Sequence, residues 1–199
     1  MKYLFVLPFL LFSFSSLAQK GSHTFSASYG TGKGEIKMVL GISDSDGGNY
    51  KGKSVNTIGL NYFGGITNHL FIETGLIWLQ HQSTKTTYNI PTTATMPMTK
   101  TLTDVSFHMV TIPLKLRVEF AKYFFVSGGI MRDFPVNSIT KNTLHPNAFG
   151  IGIGGGLQYL HHNKFGVFIY PQANIHEFFD RGIMEANISF GLAYRIPRR

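Results

Sequence analysis

The chain has no cysteine, one tryptophan and only ten acidic residues among its 199. Without cysteine there is no disulfide framework, no thiolate metal site and no cysteine-linked lipid anchor. The eighteen lysines and arginines leave a formal charge of +8. Such a balance can signal nucleic acid, but here the basic residues are scattered singly, so no nucleic-acid partner is expected. No apolar run reaches the roughly 20 residues that a membrane helix needs. The longest, Tyr3 to Phe14, follows Lys2 and precedes Ser16-Leu17-Ala18. That order describes an export signal, residues 1–18, cleaved after Ala18. The remainder, 19–199, is long enough for one domain.

What the chain has in quantity is Gly, Phe, Thr and Tyr, arranged in alternation. Period-two patterning with turn residues between segments indicates strands. Eight are expected, at 23–32, 53–63, 70–82, 104–120, 123–136, 147–160, 165–177 and 184–196. The links at 64–69, 121–122 and 161–164 are short. Those at 33–52, 83–103 and 137–146 are longer. An even strand count with short turns at one end and long loops at the other predicts an all-β fold, an eight-stranded antiparallel up-and-down transmembrane β-barrel. Its address would be the cell outer membrane, with both termini periplasmic and the long loops outside.

The alternation assigns faces. Val110, Ile112, Leu114, Leu116, Val118 and Phe120 share one side of the fourth strand, against Thr111, Lys115, Arg117 and Glu119. In the eighth, Ile188, Phe190, Leu192, Tyr194 and Ile196 oppose Asn187, Ser189, Gly191, Ala193 and Arg195. In the sixth, alternating glycines from Gly150 to Gly156 share the inner face with Gln158. Apolar outside and polar inside suits lipid. A soluble barrel of lipocalin type would reverse that polarity. Eight strands leave room only for side chains, so no open pore is expected. The inward charges Glu73, Lys115, Arg117, Glu119, Asp133 and Arg195 must then pair, mostly toward the periplasmic half, with Arg195 against Glu73 or Glu119. A salt-bridged plug is favoured over a narrow channel. Tyr62, Phe63, Phe71, Trp78, Phe120, Tyr123, Phe124, Phe125, Tyr159, Phe165 and Tyr194 are expected in aromatic girdles. Pro113 and Pro171 fall inside strands and predict either local bulges or strand boundaries other than those given above.

Chemistry-bearing candidates are few. Ser106 and His108 share the outward face near the outer end of the fourth strand, with Glu177 or Glu185 flanking the last outer loop. A serine, a histidine and a carboxylate facing lipid would suit a lipopolysaccharide acyl hydrolase, though the spacing is no known motif. His145, His161 and His162 lack companions at metal-ligand spacing, and Ser43 to Asn49 lacks the glutamate of a calcium loop. No metal or cofactor is expected. The stretch 83–104 holds nine threonines with Pro91 and Pro97 and could extend a hairpin beyond the membrane.

Two motifs carry a resemblance. Val110-Thr111-Ile112-Pro113-Leu114-Lys115-Leu116-Arg117, a tight turn and Phe125-Val126-Ser127-Gly128-Gly129 resemble the outer-membrane β-barrel families that include PorT-like proteins, the porin-family barrel domain. Ser189, Gly191, Tyr194 and Ile196 are similar to the terminal signal by which barrel substrates are recognised for insertion. The resemblance implies an integral outer-membrane barrel with a structural, adhesive or secretion-accessory role. Its partners would be outer-membrane lipid and lipopolysaccharide, the barrel-assembly machinery, and a secretion-system or extracellular protein.

Overall fold

The computed structural model describes residues 22–38, 48–89, 99–120, 123–137, 149–162, 164–176 and 181–196. The expected export signal, most of the Ser43 to Asn49 loop, Pro91, Pro97, His145 and Glu177 lie outside them. Eight antiparallel strands close a ring: β1 (His23–Met38), β2 (Gly48–Gly65), β3 (Leu70–Asn89), β4 (Thr99–Phe120), β5 (Phe124–Pro135), β6 (Phe149–His161), β7 (Phe165–His176) and β8 (Arg181–Ile196). Each strand pairs with its sequence neighbours, and β8 returns to β1 with Tyr194 opposite Phe25. Connections alternate between a turn end, where β1 also begins and β8 ends, and a loop end.

Pairing also sets the tilt. Followed round the ring from Ile151 through Ile130, Leu114, Thr74, Tyr62, Phe25, Tyr194 and Phe165, it returns to β6 at His161, ten residues further along. Eight strands with that stagger lean about 40° from the barrel axis.

Polarity runs as the alternation predicts and excludes the lipocalin-type alternative. Leu60, Leu76, Leu116, Ile153, Val167 and Leu192 are exposed outward, while Glu73, Lys115, Asp133 and Asn187 are buried inside. So wide an apolar exterior is tolerated by hydrocarbon and not by water. At the turn end Phe165 packs on Tyr194 (4.6 Å between centroids), Phe120 on Phe124 (6.0 Å) and Tyr123 on Tyr159 (6.4 Å). Trp78, Phe134 and Phe149 are exposed nearer the loop end, with the Arg132 guanidinium 5.4 Å from the Phe134 ring and 5.5 Å from the Phe149 ring.

Three girdle assignments are wrong. Phe63, Phe71 and Phe125 are buried in the lumen. Their odd numbers share the inward parity of Glu73 and Ser127, and at the turn end they fill the interior. The prolines produce no bulge either. Pairing lapses at Gly75 and Leu76 beside Pro113, then resumes unshifted from Thr74↔Leu114 to Ile77↔Thr111. Beside Pro171 it resumes unshifted from Gly154↔Gln172 to Leu157↔Ile169. Each proline loses its rung on one side while the opposite neighbour keeps register, at Pro113↔Met131 and Pro171↔Ile188. The register shift in the β2 and β3 ladder instead lies between Gly52 and Ser54.

Strand length is the other difference. β5, β6 and β7 have 12, 13 and 12 residues, close to the roughly 9–11 that cross a bilayer. β3 and β4 have 20 and 22. Much of the expected loops 33–52 and 83–103 is therefore strand, projecting past the loop end on the β2, β3 and β4 side of the ring. Outside lipid both faces of a strand can be wet, so apolar alternation fades while threonine keeps its β preference.

Candidate functional site

The lumen is filled by side chains in layers. Nearest the turn end, Arg195 Nη2 donates to Glu119 Oε1 and Oε2 at 2.7 and 2.8 Å, and its Nε donates to Thr24 Oγ1 at 3.0 Å. One layer inward, Arg117 Nη2 lies 3.3 Å from Glu119 Oε1 and donates to Gln158 Oε1. Its guanidinium is 3.6 Å from the Phe125 ring centroid and 4.6 Å from that of Phe63. Glu119 thus joins two arginines, and the aromatics withdraw them from water.

Glu73 and Lys115 are cross-strand neighbours in register, yet the Lys115 ammonium reaches the other way, over Gly129 and Gly152, to β7. Its Nζ lies 3.4 Å from Gln172 Oε1 and 3.5 Å from Asn174 Oδ1. The β6 glycines make that reach feasible. A Cβ on Gly152 would sit 2.3 Å from Asn174 Oδ1 and 3.0 Å from Lys115 Nζ, and one on Gly154 would sit 2.5 Å from Tyr170 Cε2.

Toward the loop end the layer divides. On one wall Val55, Leu79, Met109 and Ile183 form an apolar cluster. On the other, His176 Nδ1 is 3.0 Å from Asp133 Oδ2 and its Nε2 is 3.4 Å from Glu185 Oε1. These are ion-pair distances, not aligned hydrogen bonds. Thr111 donates to Asp133 Oδ1 at 2.6 Å, while Asn174 and Asn187 donate to Glu185 Oε1 at 2.6 and 3.0 Å. Each ring nitrogen thus faces a carboxylate, and only an imidazolium opposes both in charge. A protonated His176 also balances the described lumen, where Lys115, Arg117 and Arg195 face Glu73, Glu119, Asp133 and Glu185.

Of the six inward charges, Arg117, Glu119 and Arg195 come together at the turn end; Asp133 joins a separate group near the loop end. Sequence reasoning missed His81, His176 and Glu185 as interior residues. Strand parity could have found them: Glu185 has the parity of Asn187, and His81 that of Glu73. Buried in the lumen, Glu185 cannot flank a lipid-facing site. Ser106 and His108 do meet on the outer surface, with Ser106 Oγ 3.1 Å from His108 Nε2 and Gln80 Nε2 donating to Ser106 at 3.4 Å. Of the four insertion-signal residues, Ser189 and Gly191 face inward and Tyr194 and Ile196 outward at the turn end.

In the part of the sheet that projects past the loop end, Lys53 Nζ donates to both carboxylate oxygens of Asp104 at 2.7 and 2.8 Å, and Thr84 Oγ1 donates to Oδ1 at 2.9 Å. The tie fastens β2, β3 and β4. The hydrogen bond from Lys53, then that from Thr84, holds the Asp104 carboxyl below its ordinary value. A depressed carboxyl favours the folded state above its unfolded pKa and loses that contribution as pH falls through the folded one, so the tie persists at neutral pH.

No protein-family model matches the chain, and no curated protein matches it. Among solved structures, the outer membrane protein OprG from Pseudomonas aeruginosa superposes with a TM-score of 0.52 at 11% identity, over 90% of this chain and 97% of that one. The chain has the outer-membrane β-barrel fold. The attachment invasion locus protein Ail of Yersinia pestis matches this barrel at 14% identity and a TM-score of 0.41, over 89% and 99% of the two chains. The Escherichia coli outer membrane protease OmpT matches the barrel at 9% identity and 0.40, over 88% and 97%.

Proposed function

We propose that the chain is an integral outer-membrane protein without an open pore, with both termini periplasmic, that works through the sheet raised beyond its loop end. One observation carries this reading: the lumen is packed while β3 and β4 run well past the length a bilayer needs. Material has no route through the barrel, so the projecting surface is where it meets other molecules, in a structural, adhesive or secretion-accessory role. The β4 motif Ile112-Pro113-Leu114 and the glycine-bearing β5 support a PorT-like version of that role. The terminal pattern Ser189, Gly191, Tyr194 and Ile196 would be read by the barrel-assembly machinery. Lipopolysaccharide phosphates suit Arg132, held among aromatics on the lipid-facing side. Membrane fractionation with gel migration before and after boiling, joined to planar-bilayer recording, tests the reading. A heat-modifiable band in the outer-membrane fraction and a silent bilayer are expected; steady conductance rejects the closed barrel.

The Ser106 and His108 contact favours a second reading, a lipid-modifying enzyme. Ser106→Ala and His108→Ala would then alter lipopolysaccharide acylation in purified membranes. Unchanged acylation removes it.

A further inference from the structure

β5 stops pairing with β4 at Pro135, opposite Met109, while β4 continues to Thr99 with β3 as the one described strand beside it. Two contacts prolong the β5 side: Val136 N donates to His108 O at 2.9 Å, and Asn137 Nδ2 donates to Ser106 O at 2.7 Å. Both acceptors are even-numbered. In an antiparallel ladder alternate residues turn their N–H and C=O to the same side. The backbone groups of Asp104, Leu102 and Lys100 therefore face away from β3, and no described strand receives them.

Exposed sheet edges normally carry protection such as proline, a bulge or clustered charge. This one has none of the first two between Thr99 and Phe107. Of its two charges Asp104 is committed to Lys53, and Leu102 is 60% exposed. The tie through Thr84 holds the edge in position, so an added strand meets an ordered template. The exposed charges around it are mainly basic, Lys51, Lys53 and Lys100 against Asp104. A second copy does not fit. Two upright barrels in one membrane would present edges tilted about 40° in opposite senses, which cross instead of pairing.

We propose that the β4 edge from Lys100 to Asp104 is a strand-addition site that takes an acidic, extended segment of a partner polypeptide outside the cell, in line with β5. Main-chain hydrogen bonds would hold the segment and the surrounding lysines would select its charge. The inference rests on the orientation proposed above, and the test separates the two.

The probes are peptides of about seven residues, one alternating Thr with Glu and one alternating Thr with Lys, added to the purified barrel in nanodiscs. Amide hydrogen exchange is read at Lys100, Leu102 and Asp104. Fast exchange is expected without peptide, slowed on the order of tenfold by the Thr-Glu peptide and unchanged by the Thr-Lys peptide. Leu102→Pro removes only the edge-facing donor, a position where proline is tolerated. It should keep heat-modifiable migration and lose binding, whereas Leu102→Ala should keep both. Protection before any peptide is added, meaning that the chain covers its own edge, overturns the proposal. So does binding that survives Leu102→Pro, or equal binding of the two peptides. Because the chain lacks cysteine, Thr101→Cys labelled on intact cells by an impermeant maleimide reads orientation alone. No labelling overturns the outside placement even where the purified barrel binds peptide.

Discussion

Glu185→Ala is expected to destabilise the folded barrel by about 3–5 kcal/mol, the range for removing one partner of a buried charge pair. The Glu185 carboxylate accepts from Asn174 and Asn187 and faces His176 Nε2. Its loss strands two amide donors and leaves the imidazolium with Asp133 alone. Both groups are buried, so the stranded donors and charge are not restored by bulk solvent. Glu185→Gln keeps a carbonyl for the two asparagines, so its smaller cost isolates the charge. Guanidinium unfolding in lipid vesicles supplies the comparison. A loss under about 1 kcal/mol, as for a solvated surface pair, would sink the buried-network account. A double-mutant cycle with His176→Gln should return a coupling above about 0.5 kcal/mol, the mark of residues in direct contact.

Arg117→Ala should cost about 3–5 kcal/mol by the same argument. The guanidinium lies between Phe125 and Phe63, donates to Gln158 and approaches Glu119. Arg195 still holds Glu119 in the variant, which limits the electrostatic part. The gap between the rings adds a cavity cost. Arg117→Lys preserves charge and loses the planar fork and its stacking, so it should recover only part of the loss. Stability within about 0.5 kcal/mol of the parent in Arg117→Lys would show that charge alone matters, and that the aromatic pair contributes nothing specific.

Much of the fold was legible along the chain. The faces of β4, β6 and β8 follow from alternation because a strand sends neighbouring side chains to opposite sides whatever lies beside it. Strand ends toward the turn end were also readable, since glycine and polar residues interrupt the apolar pattern there. The projecting halves of β3 and β4 were not. Threonine-rich segments wet on both faces give no polarity signal, and only pairing reveals them as strands. Phe63, Phe71 and Phe125 differ for another reason: an aromatic near a strand end suits a girdle or a plug equally by position, and only parity separates the two. His176 and Glu185 have inward parity but border a loop, where the strand period gives out and polar residues carry little signal.

The sequence by itself determined the barrel class, the number of strands and, by parity, which side chains meet lipid and which meet the lumen. These are local properties with a period of two. The tertiary structure alone decided which inward charges meet. Closing the ring displaces the pairing from Ile151 to His161 along β6, so residues at one height come from unrelated positions in the chain. That stagger brings Arg195 to Glu119, while Lys115 leaves its neighbour Glu73 for Asn174 along the rung through Gly129 and Gly152, and β5 stops pairing too early for any described strand to cover the upper edge of β4.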